Sequence, residues 1–335
     1  MNNKHLYLLI ALAALGLTAG VASRSFAAGP KVGVSPWGPK DEIGRLNLMT
    51  PESRAGVLRR LGGPKVYDLS VEYFIGMPSW QAAGDPPYQM WMTHTPHGDH
   101  VADSMKVGKE MSSHVGYTGV AISMYTHMGT HIDALNHFGL DGQIYNGFSA
   151  AEHLGDRGWK VTGAEKIPPI VARGVMIDLP KAKGVSMLPD GYRVTKSDLV
   201  AALARQKTVL RQGDVVLIRT GRMQVYEDAQ SYMKNPPGMG IEAAKFLVEE
   251  GGAMIVGADN LSFEAFPSEV PGNYVPVHTY LLAQQGVPIL ELVRLEELAQ
   301  DGVYEFGFLG GSLKLRGSDA APIRPMAVPF ERAQP

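Results

Sequence analysis

The segment His127-Met-Gly-Thr-His131-Ile-Asp133-Ala-Leu-Asn-His137 constrains this chain more than any other, because no regular element can bring its polar side chains together. On a helix His127 and His131 share a face, but Asp133 lies about 200° around from His131. On a strand all four polar side chains point the same way, yet at ~3.3 Å per residue Asp133 ends about 20 Å from His127. Metal ligands have to converge to about 2.0–2.2 Å from one ion. The backbone must therefore bend inside the motif, and Gly129, lacking a Cβ, stands where the bend is needed.

A lone histidine is usually a satisfied core or surface residue. Three histidines and an aspartate at this spacing around a glycine point instead to a metal site. Two imidazoles and one carboxylate leave coordination positions open, which is the catalytic rather than the structural arrangement. Water in such a position has its pKa lowered toward about 7. His137, one short span beyond Asp133, is then placed to move a proton. His278 and Glu291 form a second candidate pair: a short helix opening at His278 and closed by Gly286 lets an extended run after Pro288 bring Glu291 back beside it. The cluster His94-Thr-Pro-His97-Gly-Asp-His100 is a weaker alternative, which Pro96 and Gly98 assign to a loop or solvated lid.

The remaining composition narrows the field. There are no cysteines, so disulfides, thiolate ligands and lipid attachment to cysteine are excluded. A net charge of -2, without a basic stripe, gives no reason to expect nucleic acid as a partner. No nucleophile elbow, phosphate loop or dinucleotide-binding glycine fingerprint is present. Residues 1–27 read as a signal peptide: Lys4 in a short polar start, the apolar run Leu6 to Ala22, then Ser25-Phe26-Ala27 with cleavage between Ala27 and Ala28. This predicts a periplasmic or secreted protein with no stable membrane association after cleavage; the alternative is an uncleaved membrane anchor, since the apolar run lies at the lower edge of a spanning length.

Residues 28–335 read as one domain, with an N-terminal arm over 28–66 and a loop insertion over 81–118. Short apolar runs at Val175 to Leu179, Val215 to Ile218, Met254 to Val256 and Tyr304 to Phe308 predict strands, and Tyr67 to Phe74 predicts another. Helical windows alternate with them at Pro51 to Leu61, Thr195 to Arg205, Ile241 to Glu250 and His278 to Gln285. The class expected is α/β on one sheet. Gly76 to His114, with four prolines, four glycines and four histidines and no period, predicts a long functional loop.

At these residues the chain resembles the cyclase-like metal-dependent hydrolases, which include bacterial kynurenine formamidases, isatin hydrolases and lactone-opening enzymes. His127 to Phe138 matches the family pattern His-x-Gly-Thr-His-x-Asp-x-Pro-x-His-Phe, except that Leu135 replaces the proline. Further matches are Trp37 to Asn47, Tyr67-Asp-Leu-Ser70, Gly76-Met-Pro-Ser-Trp80, Gly213 to Gly221, Gly257-Ala-Asp259, and Val277-His278 through Leu290-Glu291.

The resemblance implies a swivelling-type cyclase-like α/β fold, with a mixed, barrel-like central sheet and flanking helices, assembled as a homodimer or homotetramer. It implies His127, His131 and Asp133 as ligands of one metal, and Asp133, His278 and Glu291 as ligands of a second in two-metal members. His137 is implied as the proton donor and acceptor, and Trp80 as an aromatic packed on substrate. One or two divalent ions, zinc or manganese, follow.

The function expected is hydrolysis of an amide, lactam, lactone or ester bond in a small-molecule substrate. Export and the extra chain length both argue against the formamidase reaction itself. The alternatives are a periplasmic metal- or ligand-binding protein without turnover and, from the same two-histidine, one-carboxylate set, iron-dependent oxygen chemistry. Specificity is expected in the 81–118 loop with Met90, Trp91 and Met92, and in Arg324.

Overall fold

The central strands are read from the apolar runs. In the computed structural model, which describes residues 30–331 except 104 and 113, Ile170–Asp178 (here β5), Val215–Arg219 (β6) and Ile255–Ala258 (β7) pair in parallel. Alternate residues of each feed two separate cores. Val175, Ile177, Val216 and Ile218 join one; Met176, Val215 and Leu217 join the other. Both faces of the sheet are thus covered, which is why these strands are continuous apolar runs rather than alternating ones. The expected signal peptide and its cleavage bond between Ala27 and Ala28 lie outside the described residues.

Six further strands complete a nine-stranded mixed sheet that curls into half a barrel. They are Tyr67–Asp68 (β1), His131–Asp133 (β4), Ile289–Glu291 (β8), Glu305–Gly310 (β9), Ala320–Pro322 (β10) and Met326–Pro329 (β11). Across the sheet the order is β1-β11-β9-β5-β6-β7-β8-β4-β10. The pair β7–β8 is parallel, and β8–β4 and β4–β10 are antiparallel. Helices flank this sheet as the resemblance implied. One of them, Lys196–Gln206, is capped by Thr195 and Asp198 bonding reciprocally to each other's backbone amides.

Two expectations fail locally. The strand expected over 67–74 stops at Asp68, because the next amides turn to other partners: Leu69 to the carbonyl of Pro325, and Val71 to the hydroxyl of Thr130. The region from 76 to 114 is not a structureless loop. Gln89–His94 (β2) pairs antiparallel with Gly119–Ser123 (β3) as a two-stranded ribbon, with helical turns Pro96–Ala102 and Lys109–Ser112 between them. Pro96 does not prevent its helix, since at the first helical position its missing N–H is not needed.

The N-terminal segment clamps the region that carries His278. Asp41 accepts hydrogen bonds from the amides of Ile43 and Gly44 and from Asn47, shaping a turn whose Arg45 amide donates to Gly286 O. A Cβ at Gly44, with φ of 55°, would lie 2.3 Å from Gly286 O, so glycine is required for this approach. Gly33 N donates to Ala283 O on the same helix.

Candidate metal centre

Register explains how distant residues converge. Across β4 and β8, His131 stands opposite Glu291 and Asp133 opposite Ile289. Because side chains alternate on a strand, His131, Asp133 and Glu291 project to one face while Ile132 and Leu290 enter the core on the other. Directly opposed residues have Cβ atoms ~5 Å apart, so the pairing alone puts an imidazole beside a carboxylate. His278 arrives from the helix that begins at Pro276–His278 and widens into a π-type turn over Thr279–Gln284, after which Gly286 returns the chain to β8.

The bend inside the motif lies where the spacing demanded it. Gly129 has φ of 60°, and the Tyr73 ring occupies the place of a Cβ, 2.2 Å from where one would be. This turn folds His127 back over β4. His137 sits in the turn after β4, its amide donating to Ala134 O. The His127 and His137 rings lie 3.9 Å apart, centroid to centroid.

Ligand-type atoms gather in two groups that share Asp133: His127, Asp133 and His137, and Asp133, His278 and Glu291, each within 4.8 Å. His131 Nε2 lies 3.4 Å from Asp133 Oδ1 and 3.5 Å from Glu291 Oε2. All five residues expected as ligands are therefore together, and His137 is close enough to Asp133 to be a sixth. Among the described residues His94 and His97 enter neither group; His94 instead stacks on Tyr117 in the ribbon. The side chain of His100 is outside the description.

The donor set fits a divalent ion. His131 Nδ1 faces the carbonyl of Gly129 at 2.8 Å, and His278 Nδ1 faces Glu264 Oε2 at 2.8 Å. Each bond selects the tautomer that leaves Nε2 with a free lone pair, the usual outer support of a metal-binding histidine. His131 Nε2, both oxygens of Asp133 and Glu291 Oε1 are buried without a hydrogen-bond partner. Orphaned buried polar atoms of this kind are costly, and here His131 Nε2 lies 3.4 Å and His127 Nδ1 2.9 Å from Asp133 Oδ1. The carboxylates and imidazoles of the site also tune one another's basicity. Burial works against a charged His127, but Asp133 and Asp319 push its pKa up to about 10. Burial likewise opposes a charged His278, while Glu264 and Glu291 push it up to about 10. Asp133, despite burial, is held well below the usual carboxylate range by His127 and His137. A bound cation would take over this balance by displacing protons.

Two acidic residues at the site carried no sequence signal. Asp319, one residue before β10, places Oδ2 3.3 Å from His127 Nε2 and 3.5 Å from His137 Nδ1. Glu264 holds His278. Only β10 pairing on β4, a long-range event, brings Asp319 here.

The open side of the centre is a chamber of ≈ 360 Å³, with Trp80, Tyr125, Phe138, Phe266 and Tyr274 forming its aromatic walls. Trp80, expected as an aromatic packed on substrate, is one of these walls. Met90, Trp91 and Met92, expected to carry specificity, lie exposed on the ribbon, and among the described residues of the 81–118 loop Ala83 alone lines the chamber. Arg324 pairs with Asp68 at 2.7 Å beside a different groove.

A model of the family described as putative cyclase matches residues 67–265. The chain belongs to the cyclase family. A crystal structure described as a novel cyclase is 31% identical, with a TM-score of 0.76 over 87% of this chain and 95% of that one. A solved protein described as a potential metal-dependent hydrolase with cyclase activity is 25% identical, with a TM-score of 0.50 over 81% of this chain and 99% of that one. Isatin hydrolase A from Labrenzia aggregata, bound to benzyl benzoate, shares the fold at 20% identity, with a TM-score of 0.58 over 80% and 94% of the two chains. Cyclase-like protein 3 of Oryza sativa subsp. japonica is 26% identical over 269 residues, 78% of this chain and 79% of its own.

Proposed function

We propose that this cyclase-family protein is a metal-dependent hydrolase that cleaves or opens an amide, lactam, lactone or ester carried on a flat, aromatic-sized substrate. The observation that carries the reading is the set of partnerless buried atoms on His131, Asp133 and Glu291, of which Asp133 and Glu291 line an aromatic-walled chamber. Solved relatives described as a metal-dependent hydrolase and as isatin hydrolase A support it.

His127, His131, Asp133, His278 and Glu291 would hold one or two zinc or manganese ions. A bound divalent ion supplies Lewis acidity, which polarises a carbonyl and acidifies water. The protein's own residues do the rest. Trp80, Phe138 and Phe266 pack the flat body of the substrate and exclude bulk water. Ser262, buried on the chamber wall with an unpartnered hydroxyl, is available to orient a substrate oxygen or nitrogen. His137 takes the proton from the attacking water and returns it to the leaving group. Its low basicity, caused by burial and by the charge of His127, suits a group that must give a proton up again.

The same reading includes export directed by residues 1–27 and assembly into a dimer or tetramer, the latter supported by the apolar residues exposed on the ribbon. Mass determination of the secreted chain and light scattering test these. The hydrolase reading is tested by metal analysis of the purified protein, followed by assays on cyclic and acyclic aromatic amides, lactones and esters before and after chelation. Turnover that survives complete metal removal would sink it; metal retention without turnover on any of these substrates would support a binding protein instead.

A further inference from the structure

His137 is a wall shared by two chambers. Besides the aromatic chamber it lines a polar cavity of ≈ 710 Å³ whose lining includes Asn136, Arg157, Trp159, Arg316 and Asp319. The arginines are set there by a backbone zipper. Arg157 is in the turn between the two-residue strands Leu154–Gly155 and Gly158–Trp159, and Arg316 precedes Gly317. Trp159 N donates to Gly317 O at 2.9 Å, and Gly317 N donates to Glu165 Oε2 at 2.8 Å. A Cβ on Gly158 would lie 2.5 Å from Gly317 O, and one on Gly317 would lie 2.6 Å from Trp159 O. Only glycine at both positions lets the loops meet, so the two arginines share one rim by construction.

Among the described residues neither guanidinium has a carboxylate within ion-pair reach. Asp319, the acidic residue in the lining, is engaged with His127 and His137 instead. A second observation points the same way. Asn136 is 3% exposed, its amide Nδ2 donates to Ser318 O at 3.3 Å, and its Oδ1 has no partner. The cavity therefore offers two cationic forks and one buried acceptor. A complementary ligand is an anion carrying a hydrogen-bond donor.

We propose that this second chamber binds small organic carboxylates bearing an amine or hydroxyl, the acids that opening a lactam or lactone yields. The assignment rests on the hydrolase reading above for the identity of the acid, but not for the existence of the site. The carboxylate pairs with Arg157 and Arg316 in the manner guanidinium forks favour, and the amine or hydroxyl donates to Asn136 Oδ1. The chamber would thus hold the released acid beside His137, which lines both cavities.

The test is calorimetric titration of the as-purified protein with 2-aminobenzoate and with its neutral counterpart 2-aminobenzamide, repeated after chelation. The expected result is saturable binding of the acid that persists without metal. Arg157→Gln/Arg316→Gln should weaken it roughly tenfold or more, the loss of a charge-assisted pair, and Arg157→Lys/Arg316→Lys should restore part of it. Both arginines are exposed, so thermal melting of the variants should match the parent and exclude a folding defect. Unchanged affinity in the glutamine variant, equal affinity for the amide, or binding that disappears on chelation would each overturn the proposal. Failure of the hydrolase reading shows separately, as absent metal or absent turnover, and leaves arginine-dependent binding readable in the metal-free protein.

Discussion

Two regions of this chain each concentrate three histidines within a dozen residues, and they have opposite fates. The segment 127–137 is built around β4, a strand paired on both edges, by β8 and by β10, with every residue buried. The segment 94–100 lies on a ribbon whose two strands pair with each other alone. Of 25 large apolar residues exposed among the described ones, eleven fall between 89 and 123, which marks the ribbon as weakly packed on its own chain. Histidine density does not make a metal centre. A centre needs carboxylates brought from elsewhere and held in register, and only a strand fixed from both sides supplies them.

The largest expected effect is at that strand. His131→Ala should reduce bound metal to background and lower hydrolysis by about 10³-fold, since removing a ligand removes the Lewis acid. His97→Ala in the ribbon should leave metal content unchanged. Equal effects, read by elemental analysis and turnover, would break the comparison.

Glu264→Gln comes next. It keeps the shape but weakens the support of His278 Nδ1, and loss of such an outer partner typically costs about 10–100-fold in metal affinity. Competition with a chromogenic chelator measures it. An unchanged affinity would place His278 outside the metal site.

Glycines sharpen the contrast in stability. Gly129→Ala combines a left-handed φ with a collision against Tyr73 and should cost about 2–4 kcal/mol. Gly84, with φ of 99° and open space around it, should cost only about 1 kcal/mol on the same change. Denaturant midpoints compare the two.

Asp198→Ala, on the scaffold that covers the sheet, removes a helix cap and should cost about 1–2 kcal/mol at neutral pH. Burial opposes its ionisation, but Lys183 and the Thr195 amide hold the Asp198 pKa below its ordinary value. A depressed folded-state pKa contributes stability that is present above the unfolded value and lost as pH falls through the folded one. The gap between parent and variant should therefore close on acidification below about pH 4. A gap that widens there would contradict the sign.

The smallest effect is expected at Trp91, half exposed on the ribbon. Trp91→Ala should change the stability of the isolated chain by no more than about 0.5 kcal/mol. A larger, concentration-dependent loss would show that the ribbon is covered by another copy.

What the sequence determined by itself is local. The bend at Gly129, the fold class, the capped helix after Thr195 and the return from His278 to Glu291 all follow from spacing, periodicity and turn chemistry within a few residues. The family was legible for the same reason, since its densest motif is contiguous. The tertiary structure decided the rest. Asp319 and Glu264 reach the site through pairings across more than a dozen residues, and neither sits in a local pattern that marks it. The aromatic wall is drawn from Trp80, Tyr125, Phe138, Phe266 and Tyr274, five positions with no common period. The ribbon defeats the same logic from the other side. Met90, Met92, Val120 and Ile122 share one face of it, as a core-facing ribbon would show, yet all four are exposed, so the alternation does not reveal what the face covers. A spacing argument works where the chain's own geometry sets the distance, and it ends where sheet register sets it.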